Sequence, residues 1–132
     1  VYGERQNLGG AYATVVGIFL NQLIKKNPLT INGDGNQRRD FTYVGDVVSA
    51  NILAAKSKNV GKGEVINIGN GENISINELA KNIGGEVVYN EPLNEPFANL
   101  ADIKKAKKLL DWEPTTDLIS WIKNYKKTEG LK

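Results

Sequence analysis

With 132 residues, 40% hydrophobic and 24% charged, the chain has the proportions of one small globular domain rather than of a disordered or membrane protein. It contains no Cys and no His, which excludes disulfides and thiolate chemistry and removes the commonest metal ligand and proton shuttle, so no metal site is expected. The net charge of +2 is mild, no apolar run nears the roughly 20 residues that a membrane helix needs, and no signal peptide is visible, so a cytoplasmic protein without a membrane partner is expected.

Val1-Tyr2-Gly3 reads as the end of a strand begun upstream, so a longer parent chain is expected. After the polar loop from Glu4 to Gly10, Tyr12, Val15, Val16, Phe19, Leu20 and Leu23 repeat at helical spacing and predict a helix over about 12–26. Asn27-Pro28 ends it. Gly17 inside it costs about 1 kcal/mol relative to Ala, which implies close packing or a local break.

Residues 31–48, INGDGNQRRDFTYVGDVV, carry the most information. Leu29 to Ile31 leads in as a strand, Gly33-Asp34-Gly35 is a turn, and Arg39 to Val44 returns as a β-prone segment. Asp46 is placed to cap the helix that follows, with Val48, Ile52 and Ala55 turned inward. Because strand side chains alternate, Arg38 and Arg39 point to opposite sides and one at most faces a given cleft. A planar guanidinium beside a glycine turn suits a phosphate; a solvated arginine paired with Asp40 or Asp34 is the plainer reading of Arg39.

Glu64 to Ile68 is a short β-branched strand. The helix after it has the clearest limits in the chain: Ser75 and Glu78 form a capping box, Ile74 and Leu79 a hydrophobic staple, and Gly84-Gly85 a left-handed stop. Glu86 to Tyr89 is a brief strand, and a polar loop with Pro92 and Pro96 leads to a helix from Asp102 to about Leu110. Ile103, Ala106 and Leu110 face inward there, opposite the lysines at 104, 107 and 108. A last amphipathic helix over about 116–126 buries Leu118, Trp121, Ile122 and Tyr125, and the tail from Lys127 frays.

Several chemistries are missing. No glycine trio matches G-x-G-x-x-G and no phosphate-binding G-x-x-x-x-G-K-[ST] occurs. None of the five tyrosines has a lysine four positions later. The Lys104 to Lys108 cluster fits a solvated helix face without interleaved aromatics, so nucleic acid is not an expected partner.

GDGNQRRDFTYVGDVV, together with VYGERQNLGGAYATVV at the start, resembles the C-terminal half of an extended short-chain dehydrogenase/reductase of the nucleotide-sugar epimerase and dehydratase group. The likeness runs from Val1 to about Trp121, and GAYATVV is most similar to bacterial UDP-sugar 4-epimerases. It implies an α/β fold of Rossmann-type descent with short strands and about five helices, residues 1–132 forming one nucleotide-sugar-binding domain. NAD and the Tyr-x-x-x-Lys base would belong to an N-terminal half not in the chain, so no catalytic residue is assigned here and the chain alone is expected to be inactive.

Carried over by resemblance, Arg39 matches the arginine that reaches the diphosphate. Thr30, Ile31 and Asn32 match the strand along the uridine, and Thr14 and Val15 the helix start near base or phosphate. Glu95 keeps an acidic, ribose-bonding position, while Tyr2, with Arg5 and Gln6, matches the loop near sugar and cofactor. Two departures stand out: Pro92 to Glu95 replaces an Arg-x-Gly-Asp/Glu pattern, so a second phosphate-facing arginine is gone, and Gly17 stands where proline is usual. In the resembled fold the 65–68 strand joins the larger cofactor sheet, so here it is expected to lie exposed or to pair with another copy, giving self-association. A non-catalytic nucleotide-sugar-binding module, and a dehydratase or reductase of the same group, remain as alternatives.

Overall fold

The computed structural model describes residues 1–131. Five helices and four short strands follow one another among them as α1 (Val15–Ile24), β1 (Leu29–Asn32), β2 (Arg38–Arg39), α2 (Val44–Lys56), β3 (Ile74–Ser75), α3 (Ile76–Ile83), β4 (Val87–Asn90), α4 (Lys104–Leu110) and α5 (Leu118–Thr128). β1 and β4 pair in parallel, from Leu29 opposite Val87 to Asn32 opposite Asn90, and β2 pairs antiparallel with β3. The mixed α/β class read from the sequence is the class observed.

Two apolar clusters hold these elements. The larger joins Tyr2 to Val16, Phe19 and Leu20 of α1, Leu29 and Ile31 of β1, Leu79 and Ile83 of α3, and Trp121 and Ile122 of α5. The smaller gathers Ala50 of α2, Ala106 and Leu110 of α4, and Trp112, with Ile66 and Ile68 packed against it.

α1 is shorter than its apolar stripe suggests. Thr14 caps it by accepting a hydrogen bond from Gly17 N–H at 3.3 Å, and Tyr12 lies outside the helix, 92% exposed. Its far end closes as a Schellman turn, with Lys26 N–H on Leu23 O and Asn27 N–H on Gln22 O. Lys26 takes the left-handed φ of 57° that glycine usually supplies. Gly17 is there for closeness, since a Cβ on it would stand 2.6 Å from the carbonyl oxygen of Asn7.

α2 corrects the sequence reading twice. The helix begins at Val44, so Asp46 lies inside its first turn, and the carboxylate is buried. It accepts bonds from Thr115 N–H (3.1 Å), Thr115 Oγ1 (2.7 Å) and Thr116 N–H (3.2 Å), so it ties down the stretch before α5 instead of capping α2. Trp112 Nε1 donates to Asp46 O and Ser49 Oγ on the same side. The stripe 46–50–54 therefore faces the small cluster, and Val44, Val48 and Ile52, one helical row away, face outward with Ala55.

The expected strand from 39 to 44 is only β2, continued by a parallel bridge between Tyr2 and Tyr43. The strand expected at 64–68 does not form: these residues carry no regular secondary structure, although their burial alternates as a strand's does. No backbone hydrogen bond reaches 65–68 among the described residues. Asp102 sits just outside α4, whose N-cap is Ile103, although its carboxylate accepts from Lys104 N–H. α5 is capped by Asp117, which accepts from Ser120 N–H, and its helix runs through Thr128, past the Lys127 at which the sequence reading ended it.

The capping box at the start of α3 is formed in full: Ser75 Oγ accepts from Glu78 N–H, and Glu78 Oε2 accepts from Ser75 N–H at 2.9 Å. These bonds from Ser75 hold the Glu78 carboxyl below its ordinary value of 4.5. Such a group stabilises the fold above its unfolded value and stops doing so as pH falls through its folded one. Ser75→Ala should cost about 1 kcal/mol in urea denaturation, and the variant should lose less stability than the parent as pH falls below the ordinary glutamate value of 4.5. The outward face of α2 and the unpaired 64–68 edge should make the chain associate as concentration rises. Sedimentation velocity should show this, and Val48→Lys with Val65→Lys should reduce it.

Candidate functional site

β1 supplies a floor. Ile31 is buried beneath it, while Thr30 and Asn32 point the other way, and Thr30 is held by Gln22, whose amide donates to Thr30 Oγ1 at 2.7 Å and accepts from Thr30 N–H. The capped start of α1 stands over this floor. Between them opens a cleft of about 440 Å³ lined by Thr14, Val15, Thr30, Ile31, Asn32, Arg39 and Glu95, together with Gln37, Asp40, Leu93 and Asn99 among others. All seven residues assigned to substrate by resemblance thus meet at one cavity, of a size usual for small-molecule sites.

Arg39 is the side-chain cation of this lining. It is 17% exposed, pairs with Glu95 at 2.5 Å, and donates through Nη1 to the carbonyls of Arg38 (2.8 Å) and Phe97 (3.3 Å). Three of the five guanidinium N–H groups are thereby used, leaving Nε–H and one on Nη2 without a partner among the described residues. Its ion-pair partner is Glu95, rather than Asp40 or Asp34. Arg38 points away from the cleft, as alternation requires, to Asn73 Oδ1, Asn73 O and Glu78.

Glu95 is reached from two sides, by Arg39 and by Gln37 Nε2 at 3.2 Å, and the same Gln37 nitrogen donates to Asn32 O at 2.8 Å. A more open hollow of about 690 Å³ continues past Asn32, Gln37, Leu93 and Glu95 to Tyr89, Pro92 and Phe97. It lies at the carboxyl ends of the parallel pair β1–β4. Pro92, where the resembled pattern has arginine, brings no charge to this wall.

Tyr2 is the assigned residue that does not line the cleft. Its ring is 1% exposed, 4.9 Å from Trp121 and 5.7 Å from Tyr43 between centroids, and its hydroxyl has no hydrogen-bond partner among the described residues. Burial pushes that hydroxyl well above the ordinary tyrosine value. Enclosed in this way, the Tyr2 ring lies apart from the residues that line the cleft. Close by, Glu4 accepts from Trp121 Nε1 (2.8 Å) and from the Tyr43 hydroxyl; these bonds, Trp121's foremost, lower its pKa. Glu4 therefore anchors the opening segment to α5. Gln6 accepts from Thr14 Oγ1, which ties that segment to the helix start as well.

Gln37, Asp40, Leu93 and Asn99 were missed by the sequence reading. Gln37 could have been found, because it stands two residues before Arg39 and shares its side of the strand. Leu93 and Asn99 sit in an irregular loop, where spacing carries no such signal.

The profile described as "NAD dependent epimerase/dehydratase family" matches residues 1–69, just over half of the chain. The chain is 43% identical over 142 residues to a Methanocaldococcus jannaschii protein provisionally named UDP-glucose 4-epimerase, covering 97% of this chain and 45% of the relative. It superposes on UDP-glucose 4-epimerase from Thermotoga maritima, solved with UDP-glucose, with a TM-score of 0.85 and 37% identity over 97% of this chain and 43% of that one. UDP-N-acetylglucosamine 4-epimerase from Methanobrevibacter ruminantium, in complex with UDP-N-acetylmuramic acid, gives 0.83 and 30% over 96% and 41%. The chain thus spans less than half the length of each of these relatives. With the profile match and a shared backbone over nearly all of its length, the chain belongs to the NAD dependent epimerase/dehydratase family.

Proposed function

We propose that these 132 residues hold the nucleotide-sugar substrate of an NAD-dependent UDP-sugar 4-epimerase, with NAD binding and proton abstraction carried by polypeptide outside them. The observation that carries this reading is the convergence of Thr14, Val15, Thr30, Ile31, Asn32, Arg39 and Glu95 on one cleft whose lining has Arg39 as its side-chain cation. Relatives crystallised with UDP-glucose and with UDP-N-acetylmuramic acid support the same ligand class.

When bound, NAD supplies reversible oxidation at the sugar. The residues present here do something else. The two unpartnered N–H groups of Arg39 are available to a diphosphate, and a hydrogen bond to a charged group is worth on the order of 1.5–3 kcal/mol. Glu95, an acceptor beside Gln37, suits ribose hydroxyls, and the β1 backbone edge suits a nucleobase. Energy gained from these remote groups fixes the reacting carbon without touching it.

The absence of a Tyr-x-x-x-Lys pair from the sequence favours one second reading, a nucleotide-sugar-binding module acting without chemistry of its own. Both readings require the cleft to take UDP, and they separate on whether NAD turnover appears once a cofactor-binding partner is supplied.

Calorimetric titration with UDP should give saturable binding that Arg39→Ala weakens by about tenfold or more, the equivalent of about 1.4 kcal/mol. Arg39→Lys should restore only part of it, because an ammonium keeps the charge and loses the fork. Equal affinity in parent and Arg39→Ala chains would remove the arginine from the site.

A further inference from the structure

Beside Arg39, Asp40 belongs to the cleft lining, yet its carboxylate is engaged chiefly by the protein's own backbone, with the Thr42 hydroxyl also donating to Oδ1 at 3.5 Å. Oδ1 accepts from Asn70 N–H at 2.7 Å, and Oδ2 accepts from Gly71 N–H at 3.0 Å and Ala101 N–H at 3.1 Å. The Asp40 N–H donates in turn to Asn99 Oδ1 at 2.8 Å. One residue thus joins three stretches that are far apart in the chain. Gly69 makes the junction possible, since a Cβ there would stand 2.3 Å from Ala101 Cβ and 2.9 Å from Asp40 Oδ2.

These stretches build the cleft. The 95–99 segment provides Glu95, the Phe97 carbonyl that accepts from Arg39, and Asn99. It lies along β2, with Arg38 N–H on Phe97 O and Asn99 N–H on Arg38 O. If it drifts outward, Arg39 loses both its carboxylate and a carbonyl and its fork is no longer aimed.

We propose that Asp40 is the positioning residue of the cleft: by stitching the 69–71 loop and the 99–101 segment to β2, it sets the direction of Arg39 and so the affinity for a diphosphate. This inference rests on the nucleotide-sugar reading above. It makes a prediction opposite in sign to simple electrostatics. Removing a negative charge next to Arg39 favours an anion by Coulomb attraction alone, whereas loss of the stitching weakens its binding.

The test measures UDP and uridine binding for the parent chain, Asp40→Asn, Gly69→Ala and Asp46→Asn, with amide hydrogen exchange on each. Gly69→Ala keeps the charge and opens the same junction, which guards against an Asp40 variant that does not fold. Asp46→Asn loosens a buried carboxylate remote from the cleft. Asp40→Asn and Gly69→Ala should each weaken UDP by about tenfold, change uridine by less than about threefold, and speed exchange at Asn70, Gly71, Asn99 and Ala101. Asp46→Asn should lower the melting temperature and leave UDP binding within about twofold. Tighter UDP binding by Asp40→Asn would overturn the proposal. So would a parallel loss of UDP and uridine in all three variants, the mark of general destabilisation. If the parent chain does not bind UDP, the nucleotide reading fails by itself. Exchange then decides the stitching, and unchanged protection at Asn99 and Arg38 in Asp40→Asn would end it.

Discussion

The site depends on a two-residue strand caught between two partners. Arg38 and Arg39 are paired on one side with Ile74 and Ser75 and bordered on the other by Phe97 to Asn99. Because side chains alternate along a strand, this one placement sends Arg38 to Asn73 and Glu78, at the start of α3, and Arg39 to Glu95 and the cleft. The first arginine secures the helix and the second is left with donors to offer. Neither could do the other's task, since a shift of one residue would exchange their faces.

Around that strand the chain divides its burial unequally. The cluster under the cleft is built from α1, β1, α3 and α5, and its large side chains form a rigid wall behind the floor. The cluster under α2 and α4 is small, rests on Ala50, Ala106, Leu110 and Trp112, and takes its order from the Asp46 carboxylate and the Trp112 indole. A buried carboxylate is tolerable because its oxygens are engaged by backbone and hydroxyl donors. The consequence lies outside: with Asp46, Ala50 and Ala54 on the inward stripe, the larger apolar residues of α2, Val44, Val48 and Ile52, face away. A half-covered segment at 64–68 without ladder partners packs Ile66 and Ile68 against the same small cluster.

Much of this could be read from the sequence, for reasons that differ by element. The start of α3 was legible because Ser75, Glu78, Ile74 and Leu79 all point to one local structure. β1 and the Gly33 to Gly35 turn were legible from glycine chemistry and β-branching. The face of α2 was not, since its inward stripe carries Asp46 and two alanines while the larger apolar row is outside; only a partner's position could decide between them. The end of α1 was hidden because Lys26 adopts a left-handed turn that composition does not signal. Of the site, the seven substrate residues named by resemblance line one cleft, while Tyr2 packs against Tyr43 and Trp121, which lie far along the chain. Asp40 was invisible as a junction because its partners are backbone amides of Asn70, Gly71 and Ala101, which carry no side-chain signature.

The central claim is that the cleft around Arg39 is the place where a nucleoside diphosphate binds. The most direct measurement is a nitrogen-15 NMR titration of the chain with UDP, following backbone amides and the Arg39 Nε–H. Shifts concentrated at Thr14, Val15, Thr30 to Asn32 and Arg39, with α5 and residues 64–68 unmoved, are the result this account predicts. Shifts that gather elsewhere while Arg39 Nε–H stays still would contradict it.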